Sequence, residues 1–128
     1  MTIDIKIGRS RRTAVFVTDA PGDGGANHNY LVVDPAQVRE RTDFTGPGGK
    51  ILADICFQDG PIPENGVNGV TQEDLLSIVI HRLRGFDKGP FATRENACAL
   101  RSVEEALHWL EARTYDREQR GVEGTHNP

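Results

Sequence analysis

The chain lacks any apolar run near the ~18 residues of a membrane-spanning helix, so no helical membrane anchor is expected. Its first residues, MTIDIKIGRSRR, lack the apolar core of a signal peptide, which predicts retention in the compartment of synthesis. Cysteine is scarce: Cys56 and Cys98 stand far apart with no Cys-x-x-Cys spacing, and both are expected as reduced thiols. Positive charge is in deficit, with 15 Lys and Arg against 19 Asp and Glu and a net charge of −4. Binding to DNA or RNA polymers draws on many cations contacting phosphates, so neither is an expected partner. Catalytic signatures are missing too. There is no H-E-x-x-H, G-x-S-x-G or Walker sequence. His28, His81, His108 and His126 are scattered, no two of them at i,i+4 on one helix. Asp19 and Asp23 share a loop with His28, but Gly/Asp/Asn-rich loops collect such residues for turn chemistry alone. The expectation is a protein without enzymatic activity, metal or cofactor.

What is present is punctuation. Glycine and proline crowd into FQDGPIPENGVNGVTQEDLL (57–76), which holds Gly60, Pro61, Pro63 and the turn-forming pairs Asn65-Gly66 and Asn68-Gly69. Before this stretch the chain reads as short strands. IDIKI (3–7) alternates apolar and polar residues, TAVFV (13–17) and NYLVV (29–33) are β-rich, and KILADICF (50–57) puts Ile51, Ala53, Ile55 and Phe57 on one face. Short polar loops between them predict an antiparallel meander, with a possible helical turn at 35–41.

After the stretch the period changes to that of helices. Thr71 with Asp74 forms a capping-box pattern, and Val70 with Leu75 a hydrophobic staple, predicting a helix over 72–84. Leu75, Leu76, Val79, Ile80 and Leu83 make its apolar face, and Gly85 stands where a C-cap glycine belongs. A second helix is predicted from Ala92 or Thr93 to Arg120, stopped by Gly121, with Leu100, Val103, Leu107 and Leu110 as a heptad-like seam. Arg101/Glu105, Glu104/His108 and Asp116/Arg120 are spaced as i,i+4 pairs. The fold class is therefore α+β: a small N-terminal antiparallel β region, 1–69, then a C-terminal antiparallel helical hairpin with one long helix, 70–121, and a tail, 122–128. At ~1.5 Å per residue the second helix extends about 40 Å and the first about 20 Å. Half of the long helix, with Leu107, Trp109, Leu110 and Tyr115, then has no partner in the hairpin, which predicts self-association.

Two groups of residues suit a nucleotide ligand. Phe57 is placed to stack on a base, and Gln58, Asn65 and Asn68 to pair with polar edges. The same residues also suit a rigid strand-to-helix connection. Between His81 and Arg101 the sign of charge reverses locally: Arg82, Arg84, Lys88, Arg94 and Arg101 face only Asp87 and Glu95. Thr93 and Arg94 open the second helix, whose free N–H groups favour anions. Arg82 and Arg84 serve equally well as partners of the first helix's C-terminal dipole.

The runs G-P-F-x-x-R-E-N-A (Gly89 to Ala97) and L-x-x-x-E-E-A-L-x-W-L (Leu100 to Leu110) resemble the helical hairpin shared by two phage anti-defence sponge families. One is the anti-CBASS cyclic-nucleotide sponge, the other the Thoeris anti-defence sponge of the first type. A β-rich region before the hairpin makes the chain more similar to the Thoeris type. The resemblance implies a non-catalytic protein, acting in the host bacterial cytoplasm, that sequesters a cyclic ADP-ribose isomer made by TIR-domain enzymes. It implies Phe57 and Asn68, with Arg82, Arg84 and Arg94 as the arginines, as ligand contacts, beside the amides Gln58 and Asn65 read above. It further implies a homo-oligomer, dimer or hexamer, whose hairpin turns (Phe91, Ala92, Thr93 and Arg94) hold cyclic trinucleotides. A nucleotide-cleaving enzyme and a structural oligomerisation module are the alternative readings.

Overall fold

The computed structural model describes residues 5–9, 13–34 and 50–127. Four strands, β1 (Ile5–Arg9), β2 (Ala14–Val17), β3 (Asn29–Val33) and β4 (Ile51–Cys56), form one sheet in the order β1-β2-β3-β4. Every neighbouring pair is antiparallel. Val15 pairs with Val32 and Phe16 with Leu31 in the centre of the sheet. A register shift falls between Lys6 and Gly8 in β1, and a second between Val32 and Val33 on the β3–β4 ladder. Ala14, Val17 and Val33 are buried. The predicted turn at 35–41 lies outside the described residues.

Three helices follow: α1 (Ile62–Asn65), α2 (Gln72–Asp87) and α3 (Arg94–Gln119). The α2 N-terminus carries the full capping box. Thr71 Oγ1 accepts from the Asp74 amide at 3.2 Å, and Asp74 Oδ2 accepts from the Thr71 amide at 2.9 Å. The C-terminus differs from expectation: α2 passes straight through Gly85 and ends at Asp87, with Lys88 as C-cap. Gly85 does not adopt positive φ. Beyond it Phe86, one turn after Arg82, takes that guanidinium over its ring at 5.0 Å, a contact that favours the added turn. Ile80 is the buried residue of the α2 face, whereas Val79 is exposed.

In α3, Leu100 is buried and Val103, Leu107 and Leu110 are half-buried, the seam that their spacing predicts. Arg84 of α2 and Glu104 of α3 join the two helices by an ion pair of 3.2 Å. Asp116 and Arg120 form the i,i+4 pair at 3.1 Å. Helix α3 closes in a Schellman motif: Gly121, at φ 71°, donates to the Glu118 carbonyl and Val122 to that of Arg117.

The chain divides into two compact units, one of Met1–Gly60 with Glu64–Gly69, the other of Pro61–Pro63 with Val70–Pro128. The second unit borrows the start of α1. Ile62 donates its amide to the Gly124 carbonyl at 3.2 Å. No helix among the described residues is long and apolar enough to cross a membrane.

Candidate functional site

In the first unit, the end of β4 carries Phe57 into the connector. Its amide donates to the His28 carbonyl at 2.8 Å, extending the β3–β4 ladder by one residue. The half-buried Phe57 ring meets Tyr30 edge-on, with centroids 5.6 Å apart and planes at 89°. Tyr30 stands opposite Ile55, so Phe57 is its diagonal neighbour on the same face, within reach for aromatic side chains.

The three amides predicted to read a ligand are brought together, and they hold the connector's main chain at Asp59, Gly60, Gly66 and Asn68. Gln58 Nε2 donates to the carbonyls of Gly60 (3.2 Å) and Gly66 (2.8 Å), while its Oε1 accepts from the Asn68 amide at 3.0 Å. Asn68 pairs with Asp59 as a neighbouring strand would: its Oδ1 accepts from the Asp59 amide at 2.8 Å, and its Nδ2 donates to the Asp59 carbonyl at 2.7 Å. Asn65 Nδ2 reaches the same carbonyl at 3.3 Å. The result is a clasp that closes the loop behind Phe57. Asn65 and Asn68 remain exposed, each with hydrogen-bonding capacity to spare.

A second group borders the clasp. Asp19 accepts the amides of His28 (3.0 Å) and Asn29 (3.1 Å). Burial raises the Asp19 pKa, but those two amides, the His28 ring and the Asn27 side chain outweigh it and hold the carboxyl below its ordinary 3.8. His28 lies between two carboxylates, Nδ1 3.8 Å from Asp19 and Nε2 3.7 Å from Asp59. Among the described residues no group of three His, Cys, Asp or Glu side chains is arranged to hold a metal.

In the second unit, the turn between α2 and α3 is exposed at Phe91, Ala92, Thr93 and Arg94, with Phe91 at 72%. Thr93 caps α3 by accepting the Asn96 amide at 3.0 Å. Arg82 and Arg84 are both exposed, yet each is engaged, Arg82 on the Phe86 ring and Arg84 with Glu104. A phosphate at Arg84 therefore competes with an exposed ion pair, typically worth under about 1 kcal/mol.

Sequence reasoning missed Tyr30, whose pairing with Phe57 depends on strand register, and it missed Arg117. The Arg117 side chain is buried, donating to Glu123 (2.9 Å) and to the carbonyls of Asn127 (2.8 Å), Val122 (2.9 Å) and Thr125 (3.4 Å). A signal existed. The seam 100, 103, 107, 110 continues by the same three-four alternation to Thr114 and Arg117.

The chain is similar to known proteins. The family described as "Acb2/Tad1, hairpin domain" matches residues 49–115, from the start of β4 through most of α3. The protein named Thoeris anti-defense 1 of Bacillus phage SBSphiJ7 is 55% identical over 130 aligned positions, covering 91% of this chain and 92% of that protein.

Proposed function

Since the chain belongs to the Acb2/Tad1 hairpin family, we propose that it is a phage anti-defence protein that captures a cyclic ADP-ribose-type signal without cleaving it. Acting in the cytoplasm of the infected bacterium, it withholds the signal from the effector of a Thoeris defence. The observation that carries this reading is the 55% identity to a Thoeris anti-defense 1 protein over 91% of the chain, which takes in the β-rich region as well as the hairpin.

The local geometry supports capture by stacking, amide pairing and charge. We assign Phe57, Gln58, Asn65 and Asn68 to the base and ribose, and Arg82 and Arg84 to the phosphates. A loop closed by its own amides is ordered before the ligand arrives, which lowers the entropy cost of binding. A sponge must outcompete an effector, so nanomolar affinity is expected, about −12 kcal/mol. We assign Phe91, Ala92, Thr93 and Arg94, gathered from several subunits, to a cyclic trinucleotide of CBASS defence. That role needs a homo-oligomer, dimer or hexamer. The exposure of Ile78 (64%), Trp109 (65%) and Tyr115 (64%) on the hairpin helices supports self-association.

The test is release. The protein is loaded with cyclic ADP-ribose isomers, freed of unbound nucleotide and heat-denatured, and the supernatant is resolved by chromatography with mass detection. Intact cyclic nucleotide is expected; linear ADP-ribose would make the protein an enzyme and sink the reading. Phe57→Ala and Asn68→Trp are expected to weaken capture in calorimetry while leaving the helical circular dichroism unchanged.

A further inference from the structure

Among the described residues, Arg117 is the one charged side chain that is buried. Four of its five N–H donors are used, and every acceptor belongs to residues 122–127. Two partners outside the segment take its carbonyls. Those of Val122, Thr125 and Asn127 turn inward to the guanidinium, whereas that of Gly124 accepts from Ile62, the first residue of α1. Gly124 sits at φ 75°, and a Cβ there would lie 3.7 Å from that of Ile62, so the contact is close and the backbone suits glycine.

We propose that Arg117 is a positioning residue for the Phe57–Asn68 connector, acting through the 121–127 segment and α1. This rests on the binding reading above for its functional consequence. Helix α1 has only four residues, too few to be stable alone. Its first residue is held by Gly124, and its last, Asn65, donates to the Asp59 carbonyl inside the amide clasp. Segment 121–127 forms neither strand nor helix; turn bonds from Thr125 to the Val122 carbonyl hold part of it, and the guanidinium draws the carbonyls of Val122, Thr125 and Asn127 together. Without Arg117 the ordering entropy of the segment is offset by its turn bonds alone, Ile62 holds its acceptor less firmly, and a four-residue helix tied at one end leaves the clasp slack. The amides of Asp59 and Asn68, which close that clasp, then open more often.

The test compares Arg117→Met, which keeps length and removes every donor, with Arg117→Lys and with Ile80→Val, a loss in the α2 core. Amide hydrogen exchange is followed at Ile62, Asp59 and Asn68 in the ligand-free full chain. Arg117→Met is expected to speed exchange at all three by about tenfold or more, Arg117→Lys to be intermediate because charge returns without the planar fork, and Ile80→Val to leave them unchanged. Faster exchange at Ile62 with unchanged Asp59 and Asn68 overturns the proposal, as does no change at Ile62. If Arg117→Met fails to fold, Glu123→Gln, which removes one acceptor's charge, is judged by the same three amides. Dissociation of cyclic ADP-ribose, measured by stopped flow, is expected to quicken about tenfold in Arg117→Met. A wild-type chain that binds no such nucleotide refutes the binding reading, while the exchange rates still decide the tether.

Discussion

Gly69 is where the connector's own main chain leaves no room for a side chain. A Cβ built on it would run into the Phe57 carbonyl group and the Cys56 oxygen, main-chain atoms that cannot turn aside. Gly69→Ala is expected to destabilise the protein by about 2 kcal/mol, within the usual overpacking range, read as a lowered midpoint in urea. Asp19 sets a pH dependence of definite sign. Its folded carboxyl lies below 3.8, so the unfolded chain binds more protons as pH falls through that range. Its contribution is present above pH 3.8 and is lost as pH falls through the folded value. The stability gap between wild type and Asp19→Ala, followed by urea melts across that range, should shrink on acidification; a constant gap would contradict the assignment. Asp19 and His28 shared a loop in the sequence, but which amides the carboxylate would accept depended on β3 beginning at Asn29.

At the scale of elements, local codes were legible and longer ones were not. Thr71 and Asp74 are three residues apart and needed no other part of the chain to announce the start of α2. Thr71→Ala is expected to cost about 1 kcal/mol, the usual loss for a helix N-cap, and the measured change in thermal unfolding checks it. Gly121 was legible for the same reason as Thr71, since a glycine after a seam can close a Schellman motif by itself. Gly85 had the same composition signal, but α2 runs past it, and the Arg82–Phe86 contact favours the added turn. Phe57 was legible as an aromatic at the end of a strand; its partner Tyr30 required the register of β3 against β4. The amides of Gln58, Asn65 and Asn68 were recognisable as hydrogen-bonding groups, whereas their engagement with Asp59, Gly60 and Gly66 arises only once the loop closes. Arg117 was hidden by its type. A charged residue at a seam position reads as polar surface until the segment that satisfies it is seen.

The whole molecule carries apolar surface that its own two helices do not cover. Helix α3 is ten residues longer than α2, 26 against 16, and Trp109 and Tyr115 stand open on it. If the hairpin associates with other copies as proposed, Ile78→Glu and Trp109→Glu should lower the mass in light scattering at micromolar concentration. An unchanged mass in both would place the contact elsewhere. Nucleotide capture at Phe57 and any binding at Phe91 to Arg94 should then separate, because only the latter is assigned to several subunits.

The clasp also gives the protein a chemical lifetime. Asn65 and Asn68 each precede glycine, the sequence in which the next amide nitrogen most readily attacks the side-chain carbonyl and expels ammonia. At Asn68 the product would replace the Nδ2 donor, 2.7 Å from the Asp59 carbonyl, with an anionic oxygen, turning an attraction into a repulsion. Protein kept warm at mildly alkaline pH is therefore expected to lose capture in step with acid formation at Asn68, followed by peptide mass, while its helices persist.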